Sequence, residues 1–435
     1  MQKRFEKHLH KKFPHLYKDK FIIAVSGGID SVVLTHLCKN ANLNFAIAHC
    51  NFQLRGEESN QDEEFVKNLA EKLKVEIFIK KIDTKKDLAE NTSIQLKARE
   101  LRYQWFSELL QQNEFQYLLT AHHLNDDVET FMINLLRGTG LEGLTGIPTQ
   151  NEKILRPLLK FPLKEIEKFA KQKNIRWRED HTNTSDDYVR NRIRHHIIPK
   201  FEEENPNFID SFLLTKKNLQ QAKQLNTNYI NRLKTEITHQ KGDFIFYDIK
   251  KLKELPNLKA VLYLLFKPYN FTAWKDICQL LEAESGKMVL SSSHRLLKDR
   301  DFLILGPAKQ KAKREFIIEK EHQTIDFPAG KLICESVINV TAFDKRIAYL
   351  ARNKIKFPLK LRVWKSGDKF QPFGMKGHKK VSKFLKDEKL NLFEKENTWV
   401  LLSEGKIIWI IGHQIDNKFK IEKNENKILK IEWRK

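Results

Sequence analysis

The chain has 435 residues, of which 40% are hydrophobic and 31% charged, so it has room for two to four globular domains and is too apolar to be disordered. It carries 79 Lys and Arg against 56 Asp and Glu, a formal net charge of +23, which favours a polyanionic partner such as nucleic acid over a neutral metabolite alone. More than half of this surplus lies in the last 91 residues, with 24 Lys and Arg against 10 Asp and Glu.

The cysteines and the apolar runs bear on the cellular compartment. The four cysteines are scattered and form no C-x-x-C pair, which argues against a zinc ribbon and suits a reducing cytosol. No apolar run approaches the roughly 18 residues of a membrane helix, and no hydrophobic region follows the charged first residues. We therefore expect a cytoplasmic protein with no membrane partner.

The first 200 residues alternate between strand and helix patterns. Short apolar runs predict strands at 21–25, 44–49, 75–79 and 116–120. Apolar residues at helical spacing predict helices that start near Val32 and that span 59–74, 92–112 and 126–137. Such alternation is typical of a parallel sheet covered by helices on both faces.

The pattern of apolar residues changes after residue 200. Residues 212–281 have helical periodicity without convincing strand alternation, 288–305 predict a β-hairpin turning near Asp299 and Arg300, and short strands dominate 316–433. We expect an α/β chain with a parallel-sheet nucleotide-binding domain at 1–210, a mainly helical middle domain at 211–312 and a small basic α+β domain at 313–435.

The first predicted strand ends in Ser26-Gly27-Gly28-Ile29-Asp30-Ser31, directly before a helical pattern. Glycines let the backbone approach an anion closely, and a helix start favours negative charge. The loop therefore predicts a cradle for the phosphates of a nucleotide, with a tight turn capped by Asp and Ser as the alternative. Asp30 would itself repel a phosphate, so its presence indicates a Mg²⁺ or amine bridge at that position.

The loop matches neither the G-x-x-x-x-G-K-[ST] nor the G-x-G-x-x-G pattern. It resembles the PP-loop of ATP pyrophosphatases, which cleave ATP between its α- and β-phosphates to adenylate an acceptor, over about residues 20–150. Position 2 is Gln2 rather than a glutaminase cysteine, and no cysteine pair serves a sulfur relay. A separate amine is therefore favoured over glutamine or sulfide as the donor.

Further segments agree with one family in order and spacing. They are 49–55 (HCNFQLR), 121–130 (AHHLNDDVET), 137–146 (RGTGLEGLTG), 179–180 (ED), 188–194 (YVRNRIR) and 369–381 (KFQPFGMKGHKKV). Together they resemble the tRNA(Ile)-lysidine synthetase family from the first domain to the last, whereas the middle domain is assigned by position only.

This resemblance implies a complete reaction. The RNA partner would be the isoleucine tRNA with a CAU anticodon, and ATP would activate the oxygen on carbon 2 of its wobble cytosine as an adenylate. The ε-amine of L-lysine would then displace AMP to give lysidine. The sequence leaves open whether the enzyme acts as a monomer or as a homodimer.

The acidic cluster Asp126, Asp127 and Glu129 follows the fourth predicted strand, at the sheet edge where ligands bind. Helix capping explains one acid but not three, so we predict that they hold the lysine substrate, with Asp30 and Asp127 as Mg²⁺ ligands. A bound amine must lose its proton, and Asp30 and Asp127 are both candidate general bases. His122 at the strand end is a further candidate catalytic contact, ranked above its neighbour His123.

Basic residues predict the contacts with tRNA. The guanidinium groups of Arg190 and Arg194 suit phosphate oxygens, and Arg137 precedes a glycine-rich loop that would approach the reacting base. Near the carboxyl end, Lys376, Lys379 and Lys380 lie along one segment that would bind the acceptor stem. The alternative for each of these basic groups is a solvated surface.

Two other classes of function compete with this interpretation. One is a different PP-loop tRNA-modifying enzyme, such as a thiolase that uses an external sulfur carrier. The other is an RNA-binding protein that kept the fold and lost catalysis, in which Asp30 would have no role.

Overall fold

The computed structural model describes residues 1–53, 56–82, 94–179, 186, 188–309, 315–340, 344–422 and 427–434, with the backbone alone at 94 and 95. The chain forms two compact units, Met1–Thr227 and Asn228–Lys435. Residues 54, 55 and 180 of the family segments and the expected boundary at 312 lie outside the described residues.

The first unit alternates helices and strands. In chain order its elements are α1 (Gln2–Lys12), β1 (Phe21–Ala24), α2 (Ile29–Asn40), β2 (Phe45–Asn51), α3 (Glu57–Leu73), β3 (Ile77–Lys81), α4 (Ile94–Gln112), β4 (Tyr117–Leu119), α5 (Leu124–Leu136), β5 (Gln150–Asn151), β6 (Ile154–Leu155), α6 (Leu163–Gln172), α7 (Val189–Arg192), α8 (Ile198–Glu204) and α9 (Phe208–Ile237). Every strand and helix predicted before residue 140 is present in the described chain, with ends shifted by a few residues.

The sheet of this unit has the strand order β3-β2-β1-β4-β6-β5. Neighbouring strands are parallel except for β5, which pairs antiparallel with β6. Phe21, Ile22 and Ile23 of β1 are fully buried, as expected of a strand covered on both faces. The chain runs outward from β1 through β2 to β3 and then returns to place β4 on the other side of β1. The strand order therefore reverses between β1 and β4, and their carboxyl ends border a crevice suited to a ligand.

Three helical segments pack beside α5. A π-helical turn, Ile193–Ile197, joins α7 to α8, and Ile193 and Ile198 share an apolar cluster with Val128 and Phe212. The rings of Phe131 in α5 and Phe212 in α9 lie 5.4 Å apart, edge to face. These contacts fix α5 and the start of α9 against each other within the first unit.

The second unit begins within α9 and continues with a mixed α/β region. Its further elements up to residue 307 are β7 (Thr238–Lys241), β8 (Phe244–Asp248), α10 (Ile249–Lys253), α11 (Leu258–Phe266), α12 (Trp274–Leu280), β9 (Met288–Leu290), β10 (His294–Asp299) and β11 (Phe302–Pro307). The strands form one antiparallel sheet in the order β7-β8-β11-β10-β9.

The hairpin predicted over 288–305 is confirmed, since β10 and β11 pair with Asp299 opposite Phe302. The strands β7 and β8 were not expected. The residues of β7 are mostly exposed and carry no apolar alternation, and the five-residue run of β8 is too short to distinguish a strand from a buried helix turn.

The remainder of the second unit is rich in short strands. Its elements are β12 (Glu315–Ile318), β13 (Gln323–Phe327), β14 (Gly330–Val337), β15 (Ile347–Ala351), β16 (Leu359–Val363), β17 (Lys369–Phe370), β18 (Lys379–Lys380), α13 (Val381–Asp387), α14 (Leu392–Glu396), β19 (Trp399–Ser403), β20 (Lys406–Ile410) and β21 (Ile428–Arg434). Two four-stranded sheets, β12-β16-β19-β20 and β13-β14-β21-β15, share one apolar cluster around Leu361, Trp409 and Leu429. The predicted fold class is thereby confirmed.

Candidate active site

The glycine loop connects β1 to α2 and is held by hydrogen bonds of its own. The Ser31 hydroxyl donates to the Gly28 carbonyl at 2.9 Å and accepts from the Ser26 backbone N–H at 3.2 Å. Gly27 has a φ of +98°, a conformation that favours glycine. The first N–H groups of α2 have no partner within the helix, so the turn directs donors toward an anion.

Arg178, from a segment far along the chain, also holds this loop in place. The Arg178 backbone N–H donates to the Gly27 carbonyl at 3.0 Å, and the Arg178 guanidinium donates to Asp62 at 2.9 Å and to Gln61 at 3.1 Å. Arg178 was not predicted, because a single arginine far along the chain carries no sequence pattern. It adjoins the Glu179-Asp180 segment, which is the one signal that could have drawn attention to it.

A cavity of about 460 Å³ opens beside the loop at the carboxyl ends of β1, β2 and β4. This volume lies in the range of about 300–1,000 Å³ that is usual for small-molecule sites. The loop contributes Ser26, Gly28, Asp30 and Ser31 to its lining, whereas the predicted Gly27 and Ile29 are not among the lining residues. Other lining residues come from the end of β2, from α4 and from the segment after β4, and they include Asn51, Phe52, Arg99, Arg102, Tyr103, His122, Asp126 and Arg190.

His123 lies between the carboxylates of two residues that line this cavity, Asp30 and Asp126. Its Nε2 is 3.6 Å from an oxygen of Asp30 and 3.6 Å from an oxygen of Asp126. Burial acts to lower the pKa of His123, but the two carboxylates outweigh it and raise that pKa above its usual value. Within the described part of the chain, the buried Oδ1 of Asp30 and Nδ1 of His123 have no hydrogen-bond partner, which is typical of groups kept for a ligand.

Asp126 is anchored at the first turn of α5. Its Oδ2 accepts the His123 backbone N–H at 3.0 Å. Burial would raise the pKa of Asp126, but the neighbouring histidines and the backbone N–H lower it, so the carboxylate is ionised at neutral pH. The structure therefore brings the predicted residues Asp30 and Asp126 to one cavity, with His123, which the sequence ranked below His122 as a substrate contact, between them.

His122 also lines the cavity, as the sequence predicted for a substrate contact. Its Nδ1 lies 2.9 Å from the Thr120 hydroxyl. Burial and nearby arginines lower the pKa of His122 to about 4, so its imidazole is neutral at pH 7.

The low pKa of His122 predicts a pH effect on stability. An unfolded histidine binds a proton near pH 6.5, whereas folded His122 binds one only near pH 4. Its contribution to the free energy of unfolding is therefore present above pH 6.5 and is lost as the pH falls toward 4. We expect His122→Asn to flatten the dependence of urea midpoint on pH in this window. The same change at the exposed His10 should not, and equal profiles for His122→Asn and the wild type would contradict the assignment.

Asp127 is buried away from the cavity lining, with 1% of its side chain exposed. One carboxylate oxygen contacts the Lys216 ammonium group, and the other accepts the Ile147 backbone N–H at 2.6 Å. The structure thus does not bring Asp127 to the cavity with Asp30, because both of its oxygens are engaged elsewhere. The roles predicted for Asp127 in binding lysine and Mg²⁺ and as a general base stay predictions that this geometry does not favour.

Glu129 is completely buried and binds two arginines. Arg194 donates to its two oxygens at 2.6 and 3.1 Å, and Arg190 Nε lies 3.4 Å from one of them. The π-helical turn that contains Arg194 directs this side chain toward α5. Both oxygens of Glu129 therefore contact the two predicted phosphate-binding arginines, and the predicted contact of Glu129 with lysine stays a prediction.

The other predicted tRNA contacts are exposed to different degrees. Arg137 follows α5 and is exposed, next to Gly138 with a φ of +69°. In the second unit Lys376 and Lys380 are exposed, whereas Lys379 forms an ion pair with Asp387 at 2.7 Å.

An α/β unit with a Ser-Gly-Gly loop over a cavity at the strand ends, lined by serine hydroxyls, carboxylates and arginines, defines a PP-loop nucleotide-binding protein. Family models agree, matching a PP-loop domain at residues 1–201, a TilS substrate binding domain at 240–308 and a TilS substrate C-terminal domain at 359–433. Proteins named tRNA(Ile)-lysidine synthase are 38% identical in Parabacteroides distasonis, over 97% of both chains, and 34% identical in Bacteroides thetaiotaomicron, over 99% of both. A third, from Porphyromonas gingivalis, is 33% identical over 92% of this chain and 91% of its own.

The chain belongs to the tRNA(Ile)-lysidine synthase family and is an enzyme of that kind. Across the described ranges no helix is both long and apolar enough to cross a membrane.

Proposed function

We propose that the protein joins L-lysine to carbon 2 of the wobble cytidine in the isoleucine tRNA with a CAU anticodon, converting ATP to AMP and pyrophosphate. This proposal rests on the similarity to a tRNA(Ile)-lysidine synthase over 97% of both chains, which spans the PP-loop unit and both substrate domains. The product, lysidine, pairs with adenosine rather than guanosine. The tRNA would then read AUA instead of AUG and carry isoleucine instead of methionine.

ATP would bind with its phosphates at the glycine loop. The N–H groups at the start of α2 and the Ser26 hydroxyl are donors of the right kind for phosphate oxygens, whereas the Ser31 hydroxyl already donates to the Gly28 carbonyl. Arg190 also lines the cavity and could neutralise charge as pyrophosphate departs. The volume beyond the loop, between Phe52 and Tyr103, is left for the nucleoside and the reacting base.

A magnesium ion fits the residues of this cavity. The unpaired, buried oxygen of Asp30 is a hard ligand, and Mg²⁺ in nucleotide sites commonly takes one or two carboxylates together with substrate phosphates. Asp30 would hold the ion, with Asp126 on the same wall. A bound Mg²⁺ would withdraw charge from the phosphate oxygens. Among the described residues no cluster of three His, Cys, Asp or Glu side chains forms an all-protein metal site.

The first step would adenylate the RNA. The oxygen on carbon 2 of the cytosine attacks the α-phosphorus, the bond to the β-phosphate oxygen breaks, and pyrophosphate leaves with the electron pair. The arginines oriented by Glu129 would steady the negative charge that accumulates on the phosphates.

The second step would transfer lysine. The ε-amine attacks carbon 2, the carbon–oxygen bond to the adenylate breaks, and AMP leaves. The amine must lose a proton, and Asp30 is the better placed of the two candidate bases, because it lines the cavity and Asp127 does not. Asp126 carries the second ionised carboxylate of the cavity and could hold an ammonium group of the lysine.

The direct test is mass analysis of nucleosides after incubation with ATP, lysine and isoleucine tRNA transcript. We expect a cytidine derivative with the added mass of lysine, together with AMP and pyrophosphate. A product that requires a sulfur donor instead would favour the thiolase alternative. Cys50 lines the cavity, but burial raises its pKa to about 12. Its thiol is therefore protonated at neutral pH, which argues against a thiolate in this site.

Binding of tRNA by the carboxyl-terminal basic segment predicts a salt effect. Lys376 and Lys380 are exposed and have no ion-pair partner among the described residues. Replacing both by alanine should weaken tRNA binding and reduce the slope of log affinity against log salt by about 2. Lys379→Ala should change this slope less, because the ammonium group of Lys379 is already paired with Asp387. An unaltered slope in the double variant would argue against this contact.

A further inference from the structure

A buried ion pair joins the beginning of α9 to the first turn of α5. The side chains of Lys216 and Asp127 are 10% and 1% exposed, and the Lys216 ammonium group contacts the Asp127 carboxylate directly. Removing two charges from water is costly, so a buried pair of this kind is weak evidence of added stability. The role of the pair is better explained by the backbone geometry that it holds in place.

The pair fixes the last part of the glycine-rich loop at 138–146. The Ile147 backbone N–H donates to Asp127 at 2.6 Å, and the Lys216 ammonium group donates to the Ile147 carbonyl at 3.4 Å. One turn further along α9, the Gln220 amide donates to the Thr145 carbonyl at 3.4 Å. Two side chains of α9 and one of α5 therefore bind backbone groups of Thr145 and Ile147, at the end of the loop.

Close packing surrounds the Lys216–Asp127 ion pair and the backbone that it holds, which together we call the anchor. A Cβ atom on Gly146, which has a φ of +69°, would clash with Asp127 Oδ1. Phe212, one turn before Lys216, packs against Phe131 in α5. The anchor thus combines a close backbone approach, a charge pair and apolar packing, all within the first unit.

We propose that Lys216 is a positioning residue that, through Asp127, fixes the loop at 138–146 and so presents Arg137, at the start of that loop, to the tRNA. The inference rests on the proposed function. It assigns Asp127 to the anchor, which explains why neither of its oxygens faces the cavity.

A double-mutant cycle tests this assignment. We expect Lys216→Met and Asp127→Asn each to lower kcat/KM for tRNA at least tenfold, and the double variant to lose no more than the more severe single variant, because both act through one contact. The affinity for ATP should stay within twofold of the wild type. Hydrogen exchange of the segment 138–147 should become faster, Lys216→Arg should restore much of the activity, and Lys217→Met at the exposed neighbour should match the wild type.

The double variant also guards against unfolding, because it leaves no buried charge without a partner. Losses that multiply in the double variant would overturn the inference, since Asp127 would then act in the chemistry on its own. So would a double variant with wild-type activity or with unchanged exchange at 138–147. A wild-type protein that forms no lysidine would instead refute the proposed function, while the exchange measurement would still report on the anchor.

Discussion

Asp30→Asn should lower the rate of lysidine formation by about 100- to 10,000-fold, the range usual for loss of a general base. Asp30 lines the cavity, one of its oxygens is buried without a partner in the described chain, and the other lies 3.6 Å from His123. Asparagine preserves the shape of the side chain and removes the charge that a cation or an amine proton requires. We therefore expect the folded structure to survive and the chemistry to fail.

Measuring the two half-reactions separately shows which step needs the carboxylate. Loss of pyrophosphate release would assign Asp30 to adenylation, whereas pyrophosphate release without lysidine would assign it to proton removal from the amine. A matched control is Asp210→Asn, which removes an exposed first-turn aspartate from α9 and should leave both rates unchanged. Wild-type rates of both half-reactions in Asp30→Asn would exclude a catalytic role for Asp30.

Local sequence patterns were sufficient for the framework around Asp30. The strands of a buried parallel sheet appear as short continuous apolar runs, so β1 to β4 could be predicted within a few residues. The glycine loop could be predicted because its function depends on neighbouring residues in one turn, from Ser26 to Ser31. Both kinds of information are contained in a window of about ten residues.

The partners of the acidic residues lie too far along the chain to fall within such a window. Asp127 meets Lys216 across 89 positions, and Glu129 meets Arg194 across 65. Which acid of α5 faces the cavity depends on how α5 is rotated against α9 and the π-helical turn, and the spacing of the acids alone does not determine this. The same limit explains why His123 was valued below His122: its position between Asp30 and Asp126 follows from the meeting of β4 and α5 with the loop.

Glu129→Gln should be the most destabilising single change in the site. Glu129 is completely buried, and its neutralisation leaves Arg194 and Arg190, which are 28% and 44% exposed, without their counter-charge. We expect the free energy of unfolding to fall by about 2 kcal/mol, within the range for loss of hydrogen bonds to a charged group. Since the chain has two units, the urea midpoint of the transition of the first unit is the quantity to compare. Glu165→Gln, at the partly exposed pair with Arg4, is the matched control and should cost less than about 1 kcal/mol.

Adding Arg194→Gln to Glu129→Gln separates stability from function. In the double variant, position 194 no longer carries a guanidinium that would face the neutral amide at position 129 without a counter-charge. Much of the lost stability should therefore return. Lysidine formation should not return, because the double variant lacks the Arg194 guanidinium and Arg190 loses its ion pair with Glu129, keeping the contact with Thr130 at 3.2 Å. Recovery of both properties would mean that Glu129 only balances a buried charge. Recovery of neither would mean that the packing of α5 against the π-helical turn depends on this ion pair.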